Sequence, residues 1–192
     1  MVSADREERA DYREAIEHAA VSMQRWYAGQ LGGATFQLND PVVEVTHSDK
    51  QARWFYDHPN GAKDDWGYNN TLSEAARLLG AGYDQEFTWV IYSDGPGNMG
   101  RGGSGVTCMP EDDLLGLIGE HPTQKSINRW IGGMGHELGH ALGLPHPADT
   151  TKDADALMWG GFYGGYPDGA YLTEDDKATL SSSPFIRVRS GL

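Results

Sequence analysis

Cysteine is nearly absent. Cys108 is the only one in 192 residues, so no internal disulfide can form, and stability must come from the core and from any bound ions. Basic residues are scarce: 15 Lys and Arg face 28 Asp and Glu, for a net charge of −13. That balance disfavours nucleic acid and anionic membrane surfaces as partners. No run of about 18 apolar residues exists, so no segment reads as a membrane span. No signal peptide is visible, since Met1-Val2-Ser3-Ala4-Asp5-Arg6 leads straight into charged, helix-forming sequence. Internal repeats and linkers are also missing, and the length suits a single domain over residues 1–192.

What is present is enough for a proper core. The chain is 39% hydrophobic and 10% aromatic, which argues against disorder, and its 26 glycines predict long connections. Residues 3–28 carry Tyr12, Ile16, Ala19, Ala20, Met23 and Tyr27 at helical spacing. Residues 35–38 and 42–46 read as strands broken by Asn39-Asp40-Pro41, and residues 53–56 as a short strand within a polar loop. A short helix is expected at 72–79, stopped by Gly80. Residues 87–92 are apolar on both faces, which predicts a central strand. A glycine-rich loop follows, then a strand at 105–109 and a short helix near 112–118.

The informative stretch begins after His121-Pro122, with Thr123 or Ser126 as cap. Ile127, Trp130, Ile131, Met134, Leu138, Ala141 and Leu142 form one apolar stripe of 3.6-residue period. His136 and His140, four apart, share the nearly opposite face. The whole run is His136-Glu137-Leu138-Gly139-His140-Ala141-Leu142-Gly143-Leu144-Pro145-His146. Gly143 can take the left-handed conformation that ends a helix and reverses the chain, which lets His146 return as a third imidazole. Three protein ligands with one open position describe a catalytic zinc site, whereas structural sites are closed by four. Glu137 is placed to touch a metal-bound water without ligating. A lone histidine is more often a packing residue, but five fixed positions together are a strong signal. His18, His47, His58 and His121 lack ligand spacing and read as ordinary.

This pattern resembles the zinc-binding consensus of the metzincin metallopeptidases, and most of all its matrixin (matrix metalloproteinase) version. Ala156-Leu157-Met158 is similar to that family's methionine turn, and Leu172-Thr173-Glu174-Asp175-Asp176 to the start of its C-terminal helix. The resemblance spans about residues 123–180; upstream it rests on element order alone. It implies an α+β, metzincin-like fold: a twisted mixed sheet and two long helices in an upper subdomain (about 1–143), a zinc cleft, and a small irregular lower subdomain (about 144–192) ending in a short helix. It also implies that the strand at 105–109 is the edge strand along the substrate cleft, and that Met158 is an apolar floor beneath the metal. Metzincins usually carry a strand before the first helix, whereas this chain opens on the helix. Residues 160–169 read as an exposed loop walling the pocket, with Tyr163 and Tyr166 as packing residues. Gly160 stands where several relatives have a functional tyrosine, so that role is not carried over. Cys108 does not match the matrixin cysteine switch and reads as a half-buried free thiol.

The function implied is a zinc-dependent endopeptidase, with His136, His140 and His146 as metal ligands and Glu137 as catalytic general base. Its partner would be a protein or peptide substrate, with no nucleic acid and no membrane, and the chain would act as a monomer; either the protein is cytosolic or residues 1–192 are an excised mature domain, and the resemblance to a mostly secreted family favours secretion. Catalytic Zn2+ is the cofactor. Asp94, or Asp149, Asp153 and Asp155, could bind Ca2+, although neither place has an EF-hand pattern and solvated acidic loops are the better reading. The competing readings are a catalytically idle zinc domain that binds a protein or glycan, and a hydrolase of another amide bond. An intact Glu137 argues against the first, and shared metal chemistry leaves the second open.

Overall fold

The computed structural model describes residues 1–82, 84–97 and 99–188. In chain order the elements are α1 (Ala10–Gln30), β1 (Ala34–Phe36), α2 (Ala52–Asp57), α3 (Trp66–Leu79), β2 (Trp89–Tyr92), β3 (Arg101–Gly103), β4 (Val106–Met109), α4 (Glu111–Leu117), α5 (Ile127–Ala141), α6 (Gly161–Gly164), α7 (Glu174–Ser181) and β5 (Ile186–Val188). Among the described residues no helix is long and apolar enough to cross a membrane.

The apolar stripe of α5 sets the interior. Trp130, Ile131, Met134 and Leu138 are buried with Ala19, Met23 and Tyr27 of α1, and with Leu157, Met158 and Leu172 from the later chain. Ile127, first on the stripe, stays exposed at the helix start. Each large side chain fully buried there contributes roughly 1.5–3 kcal/mol. Gly116 of α4 lies so close to the Trp130 ring that a Cβ would overlap it, which lets α4 pack flat on α5.

The main sheet has three strands in the order β2-β4-β3, with β2 parallel and β3 antiparallel to β4. Its two faces serve two clusters. Ile91, Val106 and Cys108 pack with Ala75 of α3, while Val90, Tyr92 and Met109 join the α5 core. A mixed α/β architecture was expected, and the structure has it, but three details differ. The strand beginning near residue 87 is an edge strand, not a central one, because β4 occupies only one of its sides. β4 in turn is interior, and β3, which lies inside the glycine-rich segment, takes the edge position. The last helix is also not the last element: β5 follows it and pairs antiparallel with β1, from Ala34 opposite Val188 to Phe36 opposite Ile186.

Other differences have local causes. α1 begins at Ala10, because residues 1–4 are drawn into sheet-like bonding: Val2 N donates to Thr46 O at 2.9 Å and Ser48 N to Val2 O at 2.9 Å. Residues 42–46 do not form a regular strand; one isolated parallel bridge joins Val2 and His47. Residues 53–56 are helical. Ala52 and Phe55 turn inward together, Trp54 stacks on His58, and the Ala52 amide, a first-turn donor, is satisfied by the Asp5 carboxylate at 2.7 Å. α7 starts at the expected capping box, with Thr173 and Asp176 bonded reciprocally through side chain and backbone.

Candidate metal centre

α5 carries its apolar stripe into the core and turns His136 and His140 the other way. It ends at Ala141, and Gly143 adopts φ of 94°, a left-handed conformation that reverses the chain and returns His146 to the helix. His140 Nε2 lies 3.2 Å from His136 Nε2 and 3.1 Å from His146 Nε2. Among the described residues, this is the one group of three or more His, Cys, Asp or Glu side chains close enough to share an ion. The acidic residues considered for calcium do not converge. Asp94 is engaged by the Ser3 amide and hydroxyl, Asp149 accepts the Thr151 and Lys152 amides, and Asp153 accepts the Tyr171 hydroxyl.

The protons of two rings can be placed by elimination. A carbonyl only accepts, so His136 Nδ1 donates to Leu157 O at 2.8 Å and His140 Nδ1 donates to Leu144 O at 2.8 Å. A neutral imidazole has one proton, so both Nε2 atoms present bare lone pairs to each other. A second proton on His136 is opposed by burial first, then by its histidine neighbours, which hold its pKa down at about 4; burial and His140 also lower His146. Two lone pairs 3.2 Å apart repel unless a cation lies between them. Nitrogens each about 2.05 Å from a tetrahedral zinc lie about 3.3 Å apart, so the spacing and the all-imidazole donor set fit that ion.

Glu137 follows His136 on α5 and is half-buried. Burial, followed by the nearby Asp113 carboxylate, raises its pKa to about 7; the Gly102 amide, Arg101 and Arg129 pull the other way. Gly102 of β3 runs so close to the Glu137 backbone that a Cβ would collide with it. Met158 is fully buried, with its sulfur against Gly139 in the helix turn between the two helical histidines.

Aromatic rings surround the open side. The Phe162 ring centre is 4.6 Å from that of His136, and Trp159 is 5.3 Å from His146. The Arg129 guanidinium sits over Trp130, Phe162 and Tyr163 at 4.6–4.9 Å. Phe162 and Tyr166 are buried, so residues 160–169 are not simply an exposed loop, while Trp159 and Tyr163 remain open at 41% and 63% exposure. Cys108 is fully buried with its thiol pushed up by burial, away from any ligand role.

Sequence reasoning had singled out His136, Glu137, His140 and His146; the fold brings the three imidazoles within reach of one another, and Glu137 follows His136 on α5. It missed the Leu144 and Leu157 carbonyls, since a backbone acceptor leaves no mark on residue identity. It missed Gly102 because a glycine in a glycine-rich loop does not show which one touches a helix. Phe162 could have been suspected as the next large apolar residue after Trp159 beyond Ala156-Leu157-Met158.

Neither a protein-family model nor a curated protein sequence matches the chain. Solved structures do. Wild-type OgpA from Akkermansia muciniphila superposes with a TM-score of 0.68 at 21% identity, over 98% of this chain and 60% of that one. Catalytically inactive OgpA from the same organism, in complex with an O-glycopeptide (glycodrosocin) substrate, gives a TM-score of 0.67 at 20% identity, over 96% and 58%. The chain thus spans about 60% of the length of these structures. The likeness shows a shared fold and does not single out the matrixin branch.

Proposed function

We propose that the chain is a zinc-dependent endopeptidase whose ion is held by His136, His140 and His146 and whose general base is Glu137. The observation that carries this reading is the meeting of three imidazole Nε2 atoms, two of them on rings whose Nδ1 protons are held by backbone carbonyls. Zinc at that point supplies Lewis acidity toward water and a peptide carbonyl. Glu137 accepts the proton of the attacking water and delivers it to the leaving amine, and a pKa near 7 suits both transfers. β3 pairs with β4 on one side only, and its outer edge can hold an extended peptide by main-chain hydrogen bonds. No side-chain nucleophile is required.

The match to the matrixin form of the motif, with Ala156-Leu157-Met158 beneath it, belongs to this proposal, as does secretion. A refinement concerns the substrate. One similar structure holds an O-glycopeptide, and here Trp159 and Tyr163 expose aromatic faces beside the triad, surfaces against which the apolar face of a sugar can pack. Glycosylated peptides are therefore included in the test.

The test is cleavage of peptide and O-glycopeptide libraries by the wild type, by the chelator-treated protein and by Glu137→Gln, with bound zinc measured in each. Cleavage should need zinc and be lost in Glu137→Gln while zinc is retained. Wild-type rates in the variant would remove Glu137 as base. Zinc binding without any cleavage would favour the idle binding domain.

A further inference from the structure

Three arginines are partly buried among the described residues: Arg9, Arg101 and Arg129. Arg9 meets Asp11 at 2.6 Å and Arg101 meets Asp65 at 2.5 Å. Arg129 forms no ion pair among the described residues and rests instead against the rings of Trp130, Phe162 and Tyr163. Asp113 and Glu137 lie within reach of its field without bonding to it. A guanidinium drawn partly out of water without a counter-ion is costly, and a bound anion removes that cost.

Gly133 locates the charge. A Cβ there would come within 2.5 Å of Arg129 Nη1, so the guanidinium lies in the space that a side chain at 133 would fill. Side chains three and four apart on a helix are neighbours, with Cβ atoms about 5–6 Å apart. Residue 133 precedes His136 by three positions and Glu137 by four. The charge therefore sits about one helical turn from the first ring of the triad. Phe162 bridges the two: its ring centre is 4.6 Å from that of His136 and 4.9 Å from Arg129 Cζ. Tyr163, the next ring along, is mostly exposed, so this flank is open to solvent.

The rings restrict a long side chain, so little freedom remains to be lost when it binds. They accept none of its N–H donors as a carboxylate does, and the planar fork of those donors matches a carboxylate with two bonds at once. We infer that Arg129 is a specificity-determining residue, binding the side-chain carboxylate of an Asp or Glu in the peptide held at the triad. This rests on the peptide-binding reading of that site. The acidic residue occupies one fixed position in the peptide, on the Phe162 flank of His136. The net charge of −13 works against acidic ligands in general, so a preference at one position has to come from a local cation.

The test measures binding by calorimetry in zinc-loaded Glu137→Gln, so that affinity is read apart from cleavage. The probes are amidated Thr-Ala octapeptides with a single Asp, or a single Asn, moved through each position. At one position the Asp peptide should bind about tenfold or more tighter than its Asn twin. Adding Arg129→Met should bring that ratio close to one, and Arg129→Lys should keep part of it. Ratios within one protein cancel any general loss of packing in the variants. A ratio near one at every position, a raised ratio that survives Arg129→Met, or no binding of any peptide would overturn the inference. Affinity that follows a free C-terminal carboxylate in unamidated peptides, and not the Asp, would overturn the side-chain assignment. The predicted ratio without cleavage by the wild type would uphold Arg129 and remove the hydrolysis; cleavage with no acidic preference would do the reverse.

Discussion

Two neighbouring glycines on β3 offer a matched experiment. A Cβ on Gly102 would run into the carbonyl oxygen and Cα of Glu137, whereas one on Gly103 would meet nothing within 4 Å. Neither has a left-handed backbone, so alanine is conformationally admissible at both. Overpacking costs about 1–3 kcal/mol, and the upper part of that range applies where the obstacle is a helix backbone that cannot rotate aside. The smaller freedom of the unfolded chain returns about 0.4–1 kcal/mol. The net loss for Gly102→Ala is about 1–2.5 kcal/mol, a fall in Tm of roughly 2–10 °C for a domain of this size. Gly103→Ala should stay within about 0.5 kcal/mol of wild type. Thermal unfolding followed by circular dichroism measures both. Because the Gly102 amide faces the Glu137 carboxylate, Gly102→Ala should also lower kcat more than KM changes. A Gly102→Ala protein as stable as wild type, or a Gly103→Ala protein equally weakened, would refute the close approach of β3 to α5.

Asp113 is buried and its pKa is raised to about 7, chiefly by desolvation. The folded state then holds a proton that the unfolded chain releases above pH 3.8, so this contribution to stability is full at low pH and is lost as pH rises from about 4 through 7, by roughly 4 kcal/mol at most. Asp113→Asn should flatten that decline, seen as a higher Tm than wild type at pH 8 in buffered thermal melts. Thr173→Ala removes half of the capping box on α7 and should cost about 1 kcal/mol by urea denaturation. Zinc at about 100 times its Kd should add about 2.7 kcal/mol, so a chelator should lower Tm. In His140→Ala, whose ring sits between the other two, the chelator should have little effect.

The site was more legible in the sequence than the fold around it. The motif works through spacings within eleven residues, and a helix plus a left-handed turn at Gly143 converts those spacings directly into proximity. The capping box at Thr173 is local in the same sense. Strand order is not local. Residues 87–92 looked central because both faces are apolar, and both faces are indeed covered, by α3 and α5. Covered faces say nothing about covered edges, and among the described residues β2 has a strand partner, β4, on one side only. Residues 42–46 have strand composition but lack a continuous partner, so composition overstated them. Residues 53–56 show the converse: their aromatics suggested a strand, and a tertiary contact from Asp5 to the Ala52 amide favours a helical turn.

Leu157 ties two distant parts of the chain together. Its carbonyl orients the His136 ring, and its amide is held by Tyr171 O at 2.8 Å. The tilt of a helical imidazole is therefore steered from a residue thirty-five positions downstream; an acceptor that fixes the ring and its tautomer also sets how well its free nitrogen can hold a metal. In the proposed zinc site, changes around Tyr171 would retune how tightly the ion is gripped while every histidine stays in place, so affinity could drift in evolution, or be adjusted by design, without altering the motif itself.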